Sequence, residues 1–124
     1  YYIETCNVFR NFPYEIKRVA SQAIASSDSV HRNISKGYCR RSIHVYLYFL
    51  NIAFGSLGES VSGLQAYRKA KQITEEEFEK LDALAYKLEN SLLKLVESLE
   101  QKRERGEWID HLVGEESNVI YGIN

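Results

Sequence analysis

The 124-residue sequence contains no methionine, one proline and two cysteines, and it has no long apolar run. A membrane-spanning helix needs about 18 consecutive apolar residues, so the absence of such a run argues against a membrane protein. No basic segment followed by an apolar core marks a secretory leader, and Cys6 and Cys39 are therefore expected to be reduced thiols. We expect one cytoplasmic domain without membrane contact.

The single proline, Pro13, leaves the rest of the chain free to form long helices. It stands where a helix can begin, with Glu15 in the first turn. The apolar pattern continues from there towards Gly37, where we predict a turn. The SSDS sequence at residues 26–29 has weak helical propensity and could break this helix.

Three glycines interrupt the next apolar pattern without ending it. Steps of three and four residues relate Ile43, Leu47, Leu50, Phe54, Leu57, Val61 and Leu64. This period predicts a helix capped by Ser42 that runs to about Gln72, about 46 Å long. Gly55, Gly58 and Gly63 each cost such a helix about 1 kcal/mol relative to alanine, so another interaction must offset that cost.

The clearest helix start is Thr74, because Glu77 three residues later completes a capping box. The helix is predicted to end near Arg105, with Gly106 as its stop. Its short connection to the preceding helix makes the two antiparallel neighbours. The sequence thus predicts an all-α, up-down bundle over residues 1–105, followed by a partly ordered tail at 106–124.

No arrangement of residues predicts a catalytic site. His31, His44 and His111 occur singly, and the sequence has neither Cys-x-x-Cys nor the Glu-x-x-His of a di-iron bundle. We therefore predict that the protein is not an enzyme and has no catalytic residues, no metal and no cofactor.

Positive charge is concentrated in the first half of the chain. Residues 1–71 hold ten Lys and Arg against four Asp and Glu, whereas residues 72–124 hold six against thirteen. Between His31 and His44 there is no acidic residue, and the candidate nucleic-acid-binding residues are Arg32, Lys36, Tyr38, Arg40 and Arg41. The cations could bind phosphates while Tyr38 stacks on a base. Alternatively, the segment is a solvated helix junction whose arginines pair with acidic side chains.

Four segments resemble one known family of four-helix-bundle proteins. They are NISKG (33–37), RRS (40–42), FLNIAFGSLGES (49–60) and AKQITEEEFEKL (70–81). The family includes proteins encoded within ribosomal RNA intervening sequences and the accessory variability protein of diversity-generating retroelements. The sequence departs from the family at Ser35-Lys36, where Ala-Glu is usual, and at Val45-Tyr46, where Glu-Phe is usual.

The resemblance implies a homo-oligomeric ring of five four-helix bundles with no known enzymatic activity. Retroelement members of the family are thought to bind nucleic acid and a reverse transcriptase, so RNA or DNA, a reverse transcriptase or another protein are expected partners. The family's first helix is longer than residues 1–10, so we expect it to begin upstream of Tyr1 or to retain only its last turns here. The alternative function is an oligomeric protein–protein adaptor without nucleic-acid contact.

Small side chains on the glycine-containing helix suggest where subunits meet. Ala53, Ser56, Ser60, Gly63 and Ala70 fall on a stripe beside the apolar seam, and Gly55 and Ser62 fall on another face. Small residues allow a second backbone to approach closely. The candidate oligomer-interface residues are Ala53, Gly55, Ser56, Glu59, Ser60 and Gly63. Alternatively, the small residues serve close packing within a single bundle.

Overall fold

A computed structural model describes residues 1–40 and 42–106. Within these residues the chain forms four α-helices and no β-strand: α1 (Tyr2–Phe9), α2 (Lys17–Tyr38), α3 (Ile43–Lys69) and α4 (Glu75–Glu104). A 3-10 turn at Tyr14–Ile16 lies between α1 and α2. The all-α prediction is confirmed, whereas the prediction for the tail concerns residues that lie outside the described part of the chain.

Helix α4 begins and ends as the sequence predicts. The Thr74 hydroxyl accepts a hydrogen bond of 3.0 Å from the Glu77 backbone N–H, and the Glu77 carboxylate accepts one of 2.9 Å from the Thr74 N–H. These bonds satisfy two backbone donors at the start of the helix. At the other end, Gly106 adopts a φ of 69°, a left-handed conformation that glycine adopts without strain.

Helix α3 is continuous through its three glycines, as predicted, but it ends earlier than predicted. Its last residue is Lys69, not a residue near Gln72. Lys71 has a φ of 59°, and the Gln72 N–H donates to the Tyr67 carbonyl over 2.8 Å. This is a Schellman motif with lysine in the left-handed position that glycine usually fills. Because position 71 is not a glycine, the sequence carries no usual signal for the end of α3.

Helix α2 corrects two predictions and decides one alternative that the sequence left open. It starts at Lys17, after the 3-10 turn, and not directly at Pro13. The SSDS sequence does not break it; within the helix, Ser26 and Ser27 donate hydrogen bonds of 3.2 and 2.9 Å to the backbone carbonyls three residues earlier. The turn predicted at Gly37 is wrong, because the helix runs through Gly37 to Tyr38.

Gly37 is needed for packing, not for a turn. A Cβ atom at this position would stand 2.8 Å from Tyr46 Cδ1 and 3.0 Å from Phe49 Cβ, both on α3. The two helices therefore approach each other closely just before the chain reverses. Only glycine lets α2 remain helical at this distance from α3.

The core runs along the length of the bundle. Helix α2 packs mainly on α3, α3 also packs on α4, and the short α1 packs on α2 and α4. Fully or almost fully buried apolar side chains come from all four helices: Phe9, Val30, Ile43, Leu50, Leu57, Leu64, Leu81, Leu92 and Leu99. Cys6 and Cys39 are free thiols, as predicted. No helix in the described part of the chain is long and apolar enough to cross a membrane.

Candidate nucleic-acid interface and subunit surface

The α2–α3 junction places the basic segment at one end of the bundle. The chain carries no acidic residue between Asp28 and Glu59, a stretch that includes nearly half of α2 and more than half of α3. Because α2 and α3 are consecutive and joined by only a few residues, these two acid-free parts lie side by side. Neither of these two parts carries a carboxylate of its own, although α4 runs antiparallel to α3 and places Glu100 in a groove beside Leu47 and Asn51.

Three of the predicted cations follow one another at intervals of four residues. Arg32, Lys36 and Arg40 are all exposed; Arg32 and Lys36 share one face of α2, whereas Arg40 lies beyond the last residue of that helix. Lys36 lies in the last turn of α2, and Arg40 follows its C-cap residue. The fourth predicted cation, Arg41, lies outside the described residues.

Arg32 is partly neutralised, in contrast to Lys36. Its Nε atom lies 2.5 Å from one carboxylate oxygen of Asp28, and His31 Nε2 lies 2.7 Å from the other oxygen. The hydrogen bond from Arg32, supported by the one from His31, holds the pKa of Asp28 below its ordinary value. Lys36 and Arg40 are therefore the described cations best able to meet a phosphate.

Aromatic side chains surround the same junction. Tyr38 is 72% exposed and meets the buried Tyr46 edge-on, at 6.1 Å between ring centroids. Tyr48 is 61% exposed and meets Phe49 at 5.3 Å, while the Arg40 guanidinium lies 5.7 Å from the Phe49 centroid. The predicted residues Lys36, Tyr38 and Arg40 thus lie at the same helix junction.

The six predicted interface residues do not share one surface. Ala53 and Ser60 are buried within the subunit, and the Ser56 hydroxyl is hydrogen-bonded to Ser29 of α2 over 2.8 Å. A Cβ atom on Gly63 would stand 3.0 Å from the Tyr67 hydroxyl oxygen. Four of the six therefore face neighbours in the same subunit.

The other two, Gly55 and Glu59, are exposed, and Gly58 is exposed beside them. A Cβ atom added to Gly55 or Gly58 would meet no described atom within 4 Å. Ser62 and Ala66 are also exposed and continue this side of α3 at helical spacing. We call Gly55, Gly58, Ser62 and Ala66 the open glycine face. No contact among the described residues explains why glycine occupies two of its positions.

No described cluster of side chains resembles a metal site. Among residues 1–40 and 42–106, no three His, Cys, Asp or Glu side chains are placed to share a metal ion. A groove of about 370 Å³ between α1, α2 and α4 is mostly apolar, with Tyr1, Val30, Ile34 and Leu88 among its lining residues. The features that distinguish the surface are therefore the basic, aromatic junction and the open glycine face.

The amino-acid sequence matches the model of one known protein family. The model for the 23S rRNA-intervening sequence protein family matches residues 2–94. The chain belongs to this family. No match was found among curated proteins or among solved structures. The resemblance to retroelement accessory proteins stays a prediction.

In this 23S rRNA-intervening sequence protein, the matched range includes α1, α2, α3 and most of α4. Both the junction and the open glycine face therefore lie within the part of the chain that the family shares. Sequence reasoning missed Tyr48 and Phe49 at the junction. The sequence did carry a signal for Tyr48. It falls between Leu47 and Leu50, two residues of the apolar period of α3, and this spacing predicts that Tyr48 points away from the core.

A second feature that sequence reasoning missed is a polar link between α2 and α3. The Asn33 amide donates to the Ser29 carbonyl over 2.8 Å and to the Ser29 hydroxyl over 3.1 Å. The same hydroxyl meets Ser56 across the helix interface. This link places Ser56 in the contact between α2 and α3.

Proposed function

We propose that this protein is a non-enzymatic homo-oligomer that binds nucleic acid through phosphate contacts at the α2–α3 junction. The supporting observation is the pair of exposed cations Lys36 and Arg40, at a junction where neither α2 after Asp28 nor α3 before Glu59 carries a carboxylate. Phosphate contacts of this kind supply affinity without reading sequence. The family description, which refers to 23S rRNA, is compatible with a nucleic-acid partner.

We further propose that subunits associate through the open glycine face. Each glycine inside a helix costs about 1 kcal/mol relative to alanine. Since no described side chain uses the space beside Gly55 and Gly58, a neighbouring backbone that approaches closely is the simplest use for it. A closed ring of five, as the resemblance implies, would repeat Lys36 and Arg40 to give about ten exposed cations. The ring would then present concentrated positive charge to a phosphate backbone, even though each chain has a net charge of −1.

A binding experiment with charge-matched variants tests the nucleic-acid proposal. Fluorescence anisotropy of a labelled, unstructured RNA strand at low salt would be measured for the wild type and for the Lys36→Ala/Arg40→Ala variant. The control is Lys87→Ala/Lys94→Ala, which removes two exposed cations from α4 and leaves the junction intact. We expect the junction variant to bind more weakly than the control. Equal binding by the two variants would contradict the proposed site.

The second candidate function is a protein–protein adaptor. Tyr86 and Leu93 are 67% and 44% exposed, and they lie seven residues apart on α4, so they share a face. Exposed large apolar side chains of this kind are common at protein interfaces. If the wild type binds no RNA or DNA at low salt while its oligomer is intact, the adaptor function is the one to pursue.

A further inference from the structure

Aromatic contacts at the α2–α3 junction end in two exposed tyrosines. Gly37 lies between Tyr46 and Phe49, and its backbone is close to both. Tyr38 extends outward from Tyr46, and Tyr48 extends outward from Phe49. The buried Tyr46 and the half-buried Phe49 therefore support two rings that are mostly in solvent.

Neither exposed tyrosine is needed to fill the core of the subunit. Tyr38 and Tyr48 are 72% and 61% exposed, whereas Tyr46 between them is only 8% exposed. An aromatic ring on a rigid helix offers a flat apolar face at low entropic cost, because few rotatable bonds must be fixed on binding. A base that stacks on such a ring would remove apolar area from water.

One cation lies against the aromatic group. The Arg40 guanidinium lies over Phe49, whose ring meets Tyr48. Lys36 is exposed in the last turn of α2, two residues before Tyr38, and so lies on a different side of the helix from that ring. A single strand that passes across the end of α2 would bring its phosphates to both cations.

We propose that the α2–α3 junction binds single-stranded nucleic acid in preference to duplex, with bases stacked on Tyr38 and Tyr48 and phosphates held by Lys36 and Arg40. This inference rests on the proposed nucleic-acid function. Proteins that bind single strands combine cations that follow the backbone with aromatic rings that accept any base. In a duplex the base faces are already stacked, so only the phosphates would be available to this site.

The test compares three RNA probes of equal length by fluorescence anisotropy, using the full chain. The probes are an unstructured single strand, the same strand annealed to its complement, and a single strand that lacks bases. The wild type is expected to bind the single strand about fivefold or more tightly than the base-free strand, which corresponds to stacking of one base. It is also expected to bind the single strand more tightly than the duplex.

Variants then assign the stacking to the two rings. Tyr38→Ala and Tyr48→Ala should each weaken single-strand binding about fivefold or more, whereas Tyr38→Phe and Tyr48→Phe should retain it. Tyr86→Ala on α4 is the control for loss of an exposed tyrosine. Light scattering on each variant reports whether the oligomer is intact. The base-free strand gives a second test of stacking that uses only the wild type, so it does not depend on how a variant assembles.

Failure of this inference differs from failure of the proposed function. Equal binding of the normal and base-free strands, or tighter binding of the duplex, would overturn the stacking proposal and leave phosphate binding in place. Absence of binding to all three probes at low salt would overturn both. Unchanged single-strand binding by both alanine variants would also reject the role of the tyrosines.

Discussion

Gly37 and Tyr46 lie so close together that a Cβ atom on Gly37 would stand 2.8 Å from Tyr46 Cδ1 and 3.2 Å from the Tyr46 carbonyl oxygen. The carbonyl belongs to the α3 backbone, so it cannot move aside as a flexible side chain could. This contact fixes how α2 meets α3 and therefore positions the cations and tyrosines of the junction.

We expect Gly37→Ala to destabilise the protein by about 1–3 kcal/mol, the usual cost of overpacking a close contact. The measurement is urea unfolding followed by circular dichroism. Ser91→Ala is the control, because Ser91 is exposed on α4, outside both the junction and the open glycine face, and alanine is the better helix former. It should leave the stability unchanged or raise it by up to about 0.5 kcal/mol. Equal stability of the two variants would contradict the packing explanation.

Substitution on the open glycine face should affect assembly and leave the fold intact. We expect Gly55→Leu to lower the molar mass found by light scattering while its helical circular dichroism signal stays unchanged, because the side chain has space within the subunit. Ala83→Leu, at an exposed position on α4, is the control for an added apolar side chain. A monomeric wild type at micromolar concentration would refute the oligomer, and a Gly55→Leu protein that assembles normally would place the interface elsewhere.

The start of α4 depends on a single hydroxyl. Thr74→Ala removes the acceptor for the Glu77 N–H and should cost about 1 kcal/mol of stability, whereas Thr74→Ser keeps an equivalent hydroxyl and should cost little. Chemical unfolding of the three proteins gives the comparison. If the alanine and serine variants are equally stable, the capping box contributes nothing to the fold.

An ion pair between α1 and α4 predicts a dependence on pH. Lys80 Nζ lies 2.8 Å from a Glu4 carboxylate oxygen. The hydrogen bond from Lys80, helped by one from Asn7, lowers the pKa of Glu4 below its ordinary value. Because the folded-state pKa is the lower one, the contribution of Glu4 to stability is present above the ordinary carboxyl pKa of about 4.3 and is lost as pH falls through the folded-state value.

Unfolding curves at neutral and acidic pH check this dependence. Glu4→Gln should be less stable than the wild type at neutral pH, and the difference should shrink in acid. Glu97→Gln, which removes an exposed carboxylate from the outer side of α4, should show a smaller difference at neutral pH. A stability difference for Glu4→Gln that stays constant with pH would mean that the ion pair has no role.

The long helices could be predicted from sequence because apolar spacing and capping act locally. Ser42 and Thr74 cap α3 and α4 with their own side chains, so their positions follow from a few neighbouring residues. The role of Gly37 could not be predicted, because the reason for glycine lies on another helix. The early end of α3 depends on a left-handed lysine, Lys71, for which the sequence carries no usual signal.

The candidate surfaces were predictable in part. The cations Lys36 and Arg40 stand out by composition, since no acidic residue interrupts the segment. The interface prediction grouped buried and exposed small residues, because spacing within one helix does not show which neighbouring helix covers each face. Ala53 and Ser60 face the interior, while Gly55 and Gly58 face outward. The buried and the exposed small residues can be told apart only once the packing of α2 and α4 around α3 is known.

The salt dependence of RNA binding tests the central proposal most directly. Each phosphate that the protein neutralises on a single strand releases counterions, which gives a slope of about −0.7 in a plot of log affinity against log salt concentration. Contacts from Lys36 and Arg40 in one subunit predict a slope of about −1.4 or steeper, and Lys36→Ala/Arg40→Ala should flatten it. A wild-type protein whose oligomer is intact and which binds no RNA at low salt, or binds with an affinity independent of salt, would contradict the proposed function.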